Sequence, residues 1–98
     1  MKPVHLHPSA FNEFDQALAY YRAIDSELSD SLFSIFEEAT IAIGGNPKIA
    51  AQYETSQYRR YVLKRFPYVM FYRETPEAIL IVAIAHGRQK PDYWADRD

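Results

Sequence analysis

The sequence predicts a single α+β domain, in which an N-terminal strand and an antiparallel helix hairpin precede a mostly antiparallel sheet of the remaining strands. Two observations predict this class. Apolar residues recur at helical spacing through the first half of the chain, and from Tyr58 onward the period changes to that of extended strands. With 98 residues, of which 48% are apolar, the chain is long enough for one core and too short for two, so we expect residues 1–98 to form one domain.

The N-terminal residues 1–7 predict a short strand in which His5 and His7 share a face. A metal site would need further ligands beside these imidazoles, and none is evident, so we expect no metal. The chain contains no Cys, which excludes disulfides and thiolate sites, and it has no glycine-rich loop that could hold phosphates. We therefore expect no cofactor.

Two helices follow, with a link so short that they must pack antiparallel. Pro8, as a first-turn proline, or Ser9, as N-cap, begins the first helix, which ends near Ile24. Asp25 and Ser26 can each cap the second helix, and Gly44-Gly45-Asn46-Pro47 ends it. The expected core stripes are Phe11, Phe14, Leu18 and Tyr21 on the first helix and Leu28, Leu32, Ile35, Ala39 and Ile43 on the second.

Three strands occupy the second half. Residues 58–64 are of mixed polarity, and residues 68–73 are rich in aromatic and branched side chains. Residues 78–86 are apolar almost throughout, which predicts a central strand covered on both faces. Residues 87–98 form a polar tail, and we expect Trp94 to anchor this tail on the sheet.

The charge is unevenly distributed along the chain. Residues 1–47 carry two bases and seven acids, whereas residues 48–98 carry nine bases and six acids. Either the functional surface lies in the second half, or the acids simply suit exposed helix faces. The longest apolar run, residues 78–85, is too short to span a bilayer, and no signal peptide is evident, so we expect a cytoplasmic protein without membrane contact.

Two runs in the second half resemble motifs of the RelE/ParE superfamily of bacterial toxins. Residues 59–72, RRYVLKRFPYVMFY, resemble the family stretch RR..L.RFPY.I.Y. Residues 83–94, AIAHGRQKPDYW, are similar to the family ending A..H.RR.P.YW, and Arg97 matches a final arginine. Looser matches at Pro8-Ser9-Ala10 and Asn46-Pro47 extend the resemblance over nearly the whole chain.

The resemblance implies the toxin of a type II toxin–antitoxin system, which arrests growth until a small cognate antitoxin binds it. It also implies the RelE/ParE-like fold, with the site on the concave sheet face near the last strand and the tail. RelE-like members cut ribosome-bound messenger RNA in the A site, whereas ParE-like members poison DNA gyrase and cut no RNA. The alternative is a degenerate, non-catalytic binding module that acts only as an antitoxin partner.

Four residues are candidates for the site that this resemblance implies. RNA cleavage needs a base for the 2′-hydroxyl, cations for the phosphate and an acid for the leaving oxygen. His86 is the candidate base or acid, and Arg60 and Arg88 are candidate phosphate clamps. Tyr93 is the candidate for stacking or proton transfer. We expect these four side chains to converge at one end of the sheet.

The nuclease pattern is not complete in this chain. RelE-like nucleases carry two lysines where Arg60 and Val62 stand here, and an arginine where Val69 stands. Both activities therefore remain open. Two of the candidates also have a structural interpretation. His86 fits a structural histidine at the end of a strand, and Arg60 fits a charged residue that keeps a solvated edge strand from pairing with other chains.

The second helix also predicts a place for the antitoxin. Leu28, Phe33 and Phe36 form a wide apolar arc that one sheet face would not fully cover. An amphipathic helix of the antitoxin would lie in such a groove.

Overall fold

The computed structural model describes residues 1–87 and 92–97. Over these residues the elements follow the predicted order, with one extra strand. They are β1 (Val4–Leu6), α1 (Pro8–Ile24), α2 (Ser26–Gly45), β2 (Ala51–Gln52), β3 (Arg59–Val62), β4 (Tyr68–Glu74) and β5 (Ile79–His86). The α+β class is confirmed. The sequence does not predict β2, because two residues are too short to show a period.

Within the described residues the strands form one five-stranded sheet in the order β1-β5-β4-β3-β2. The edge strand β1 runs parallel to β5, and the other neighbouring strands are antiparallel, which confirms the predicted sheet. The register between β4 and β5 is interrupted once. Phe71 pairs with Ala83 and Tyr72 pairs with Ile81, so Val82 is an extra residue in β5. Such a β-bulge changes which side chains face each side of the sheet.

The first helix begins with a cap that the sequence does not predict. The imidazole of His7 accepts a hydrogen bond from the backbone N–H of Ser9 at 3.0 Å, which makes His7 the N-cap of α1. Pro8 lies in the first turn of α1, which confirms the alternative of a first-turn proline over that of Ser9 as N-cap. The expectation that His7 continues the strand and shares a face with His5 is wrong, because β1 ends before the cap.

The hairpin turns at Asp25, which is one of the two predicted caps of α2. The carboxylate of this residue accepts a hydrogen bond from the backbone N–H of Glu27 at 2.9 Å and so caps α2. The far end of α2 lies against the start of the chain, where the N–H of Lys2 donates to the carbonyl of Gly44 at 3.3 Å. A Cβ atom at Gly44 would lie 3.3 Å from the Lys2 carbonyl oxygen, so this close approach favours glycine.

The helix hairpin covers one face of the sheet, called the helix face below. Phe14 and Phe36 stack at its centre, with ring centroids 4.0 Å apart. The predicted core is wrong at Phe11, which is 58% exposed, because it lies on the outer side of α1. The buried residues of this core are Ala10, Phe14, Ala17, Leu32, Phe36, Ala39, Ile43, Ala50, Leu63, Phe66, Met70, Tyr72, Ile79, Ile81 and Ile84.

Two isoleucines of α2 give a matched test of this packing. Ile43 is fully buried, whereas Ile41 is 62% exposed. We expect Ile43→Ala to lower the free energy of unfolding by about 2–5 kcal/mol, because it leaves a cavity in a closed core. Ile41→Ala should change it by no more than about 0.5 kcal/mol. Urea unfolding followed by circular dichroism measures both, and equal losses would contradict the described orientation of α2.

Candidate functional site

Part of the second face of the sheet is covered by residues 92–97 of the C-terminal tail. We call it the tail face and define it by Arg60, Val69 and Phe71. Trp94 lies on it, 2% exposed, with its ring stacked on that of Phe71 at a centroid distance of 4.5 Å and an interplanar angle of 27°. The ring of Tyr58 meets the indole edge-on at 4.8 Å. The predicted anchoring of the tail by Trp94 is confirmed.

Arg60 lies on the tail face in a largely apolar setting. It pairs with Phe71 across β3 and β4, and its side chain is exposed. The next residue of β3 on the same face is Val62, which pairs with Val69 and is 56% exposed. On this face the neighbour of Arg60 along β3 is therefore an exposed valine, and the pairing partner of that valine, Val69, is buried.

His86 lies on the opposite face. It pairs with Tyr68 at the end of β5, and the two rings meet edge to face at 5.4 Å. Tyr68 packs against the helix-face core, and its ring lies 6.4 Å from that of Tyr21 on α1. Because Tyr68 and Phe71 are separated by an odd number of positions on a regular strand, their partners point to opposite sides. The predicted convergence of Arg60 and His86 is therefore wrong.

A cavity of about 750 Å³ adjoins His86 on the helix face. Burial raises the pKa of the Tyr68 hydroxyl above its usual range, and the neighbouring Tyr21 and Tyr20 raise it further. The described lining contains an imidazole that can transfer protons, and it contains no Lys or Arg that could hold a phosphate. The described lining residues are Glu13, Gln16, Ala17, Tyr20, Tyr21, Pro67, Tyr68, Ile84 and His86.

Tyr93 is held at the outer edge of β5. Its hydroxyl donates to Oε2 of Glu13 on α1 at 2.7 Å, and the guanidinium of Arg97 lies 5.0 Å from its ring centroid. The fourth candidate, Arg88, lies outside the described residues. The sequence gives no signal for Glu13, because this residue is separated from Tyr93 by 80 positions and from Arg97 by 84.

Residues 1–87 and 92–97 also bear on metal binding and on membrane insertion. No group of three or more His, Cys, Asp or Glu side chains in these ranges is placed to hold a metal ion. Neither helix of the described chain is long and apolar enough to cross a membrane.

Comparison with known proteins identifies the family. The sequence matches the ParE toxins of type II toxin–antitoxin systems, parDE, over residues 4–91. The chain belongs to the ParE toxin family. It is therefore the toxin of a type II toxin–antitoxin system, with a cognate antitoxin as its partner, and the RelE/ParE resemblance is confirmed. The match supports a toxin rather than a degenerate binding module.

Two relatives illustrate the extent of the similarity to other ParE toxins. Toxin ParE2 of Mycobacterium tuberculosis is 31% identical over 90 residues, which cover 91% of this chain and 85% of the relative. A solved structure of the chromosomal ParDE toxin–antitoxin system from P. aeruginosa matches with a TM-score of 0.75 and 18% identity. That match covers 88% of this chain and 96% of the other, and it shows that the fold is shared.

The tail of this ParE toxin should be an integral part of its core. We expect Trp94→Ala to lower the free energy of unfolding by about 3–5 kcal/mol, because it removes the aromatic layer over Phe71. Trp94→Phe retains a ring for stacking and should lower it by less. Circular dichroism in urea measures both variants. A loss below about 1 kcal/mol in Trp94→Ala would contradict the anchoring of the tail.

Proposed function

We propose that this toxin arrests growth by poisoning DNA gyrase, and that it does not cut messenger RNA. Membership of the ParE family supports this activity. Since gyrase acts on chromosomal DNA, the toxin would work in the bacterial cytoplasm. The surface that meets gyrase is proposed to be the tail face, around Arg60 and the exposed Val62.

The observation that carries the proposal is the separation of Arg60 from His86. General acid–base catalysis requires the proton-transferring group within hydrogen-bond reach of the reacting atoms, and the cations must contact the same phosphate. An imidazole on the helix face and a guanidinium on the tail face cannot meet one phosphate across the sheet. Val62 and Val69 provide no replacement cation on the tail face. Association with a protein surface requires neither arrangement.

The experiment compares the two activities directly. Purified toxin is added to gyrase with supercoiled plasmid, and separately to a reconstituted translation reaction with a defined message. We expect cleaved gyrase–DNA complexes to accumulate in the first reaction and the message to stay intact in the second. Fragments cut at the ribosomal A site would instead assign RelE-like nuclease activity and overturn the proposal.

Two variants sharpen this test. Arg60→Ala should weaken gyrase poisoning by roughly 10- to 100-fold, because a hydrogen bond to a charged group contributes about 1.5–3 kcal/mol. His86→Gln removes the imidazole from the helix face and should leave poisoning within about twofold, which is below 0.5 kcal/mol. Thermal unfolding confirms that each variant is folded. An equal loss of gyrase poisoning in Arg60→Ala and His86→Gln would contradict the placement of the gyrase contact on the tail face.

We propose further that the antitoxin lies on the outer face of the helix hairpin. Only part of the predicted apolar arc is exposed to solvent. Phe36 is buried, at 8% exposed, whereas Phe33 is 46% exposed. Phe11 at 58% and Ile41 at 62% add apolar surface on the same two helices. Beside Ile41, a cavity of about 620 Å³ lies between β1 and α2. An amphipathic partner helix would bury these side chains.

Phe33 gives the test of this surface. We expect Phe33→Ala to weaken antitoxin binding about 10- to 100-fold, because aromatic side chains at the centre of an interface contribute about 1.4–2.8 kcal/mol. The matched control is Val62→Ala, which truncates an exposed apolar side chain on the tail face. Isothermal titration at fixed salt measures both. Unchanged affinity in Phe33→Ala, or an equal loss in Val62→Ala, would contradict this placement.

A further inference from the structure

The outer edge of β5 is only half covered by another strand. β1 pairs with residues 79–81 and ends there, where the N–H of His7 donates to the carbonyl of Ile81 at 2.8 Å. No strand among the described residues pairs with the outer edge of residues 82–86. Backbone groups on such an edge must find other partners, since an unpaired buried N–H or C=O destabilises the fold.

The Glu13 carboxylate and the Arg97 guanidinium provide two of those partners, and the carboxylate connects three parts of the molecule. Oε1 of Glu13, on α1, accepts a hydrogen bond from the N–H of Ile84 at 2.9 Å. Nη1 of Arg97 lies 3.0 Å from the same oxygen and donates to the carbonyl of Val82 at 3.1 Å. The hydroxyl of Tyr93 donates to Oε2 of Glu13 at 2.7 Å. The helix, the open strand edge and the tail therefore meet at Glu13.

The ion pair in this cluster is shielded from water. The side chains of Glu13 and Arg97 are 19% and 18% exposed. Charge-assisted hydrogen bonds in such a setting are stronger than those between neutral groups, and removing one partner leaves the other poorly solvated. This cluster is thus unlike an exposed ion pair, which would contribute little.

The tail has a second attachment on the other side of β5. Trp94 follows Tyr93 directly in sequence and packs on Phe71 of the tail face, while Tyr93 reaches Glu13 at the strand edge. The tail is therefore held at two points, by stacking over the sheet and by the carboxylate at its edge.

We infer that Glu13 is a positioning residue for the tail: its carboxylate fixes Tyr93 and Arg97 at the open edge of β5 and so holds Trp94 on the tail face. The inference rests on the proposed function in one respect, since the tail face is the surface proposed to meet gyrase. Glu13 contacts no target itself and acts through the tail. Helix α1 thereby controls the shape of a surface on the opposite side of the sheet.

The only tryptophan of the chain reports on this directly. In Glu13→Ala we expect the emission of Trp94 to shift to longer wavelength and its quenching by acrylamide to rise several-fold, measured well below the unfolding midpoint. Asp15→Ala, which removes an exposed acid from the same helix, is the matched control and should change neither. Gyrase poisoning should fall about tenfold in Glu13→Ala, because the proposed gyrase contact lies on the tail face that Trp94 helps to shape.

Two further variants separate positioning from general stability. Arg97→Ala should raise quenching in the same way, and the double variant should show little more than either single one, because both act on one cluster. Glu13→Gln retains an acceptor for Ile84 and should lie between Glu13→Ala and the unchanged protein. It also serves as the test variant if Glu13→Ala does not fold.

The outcomes are distinguishable. Unchanged Trp94 quenching in folded Glu13→Ala or Glu13→Gln would overturn the inference, as would additive effects in the double variant. Raised quenching with unchanged gyrase poisoning would support the role of Glu13 in holding the tail, and it would contradict the proposed contact between the tail face and gyrase.

Discussion

The rest of the structure depends on β5 being buried on both faces. Its isoleucines at positions 79, 81 and 84 face the hairpin core, while Val82, Ala83 and Ala85 belong to the core beneath the tail. A strand this apolar gains stability only when a separate layer removes each of its faces from water. The hairpin forms one layer, and the tail with Trp94 forms the other. This requirement makes a polar C-terminal segment part of the core.

The bulge at Val82 allows β5 to present isoleucines to the hairpin along its whole length. Side chains of a regular strand alternate, so Ile81 and Ile84 would point to opposite faces without an extra residue between them. The extra residue brings Ile84 back to the helix face together with Ile79 and Ile81. The bulge shifts the alternation of side chains in the rest of β5, so His86 also lies on the helix face.

Much of the fold follows from local patterns in the sequence. The helix hairpin is predictable because apolar spacing and the capping carboxylate of Asp25 are short-range signals. The strands are predictable because their period differs from that of the helices. The capping role of His7 is not predictable from the sequence, because a histidine N-cap is unusual and the role depends on where β1 ends. The two-residue β2 has no pattern of its own and exists through its pairing with β3.

The face on which His86 lies is harder to predict from the sequence than the fold, for a specific reason. Counting alternation from Ile81 along an unbroken strand puts His86 on the face that carries Arg60, and only the bulge reverses this. A bulge depends on how two paired strands pack against both cores, and no single residue among residues 78–86 predicts one. For a related reason, the sequence does not predict the role of Glu13. Its partners are distant in sequence, and on α1 it has the pattern of an ordinary exposed acid.

The uneven charge of the chain has a structural explanation that combines both original interpretations. Acids such as Asp15, Glu37 and Glu38 are exposed on the hairpin, where carboxylates suit solvent-facing helix positions. On β3, Arg59 donates to the carbonyl of Ala50 at 2.7 Å and holds the loop before β2, while its neighbour Arg60 stays exposed on the tail face. The difference in charge between the two halves of the sequence therefore corresponds to a difference between the helix hairpin and the sheet. Glu13 is an exception among these acids, because its charge is used to bind the tail across the edge of the sheet.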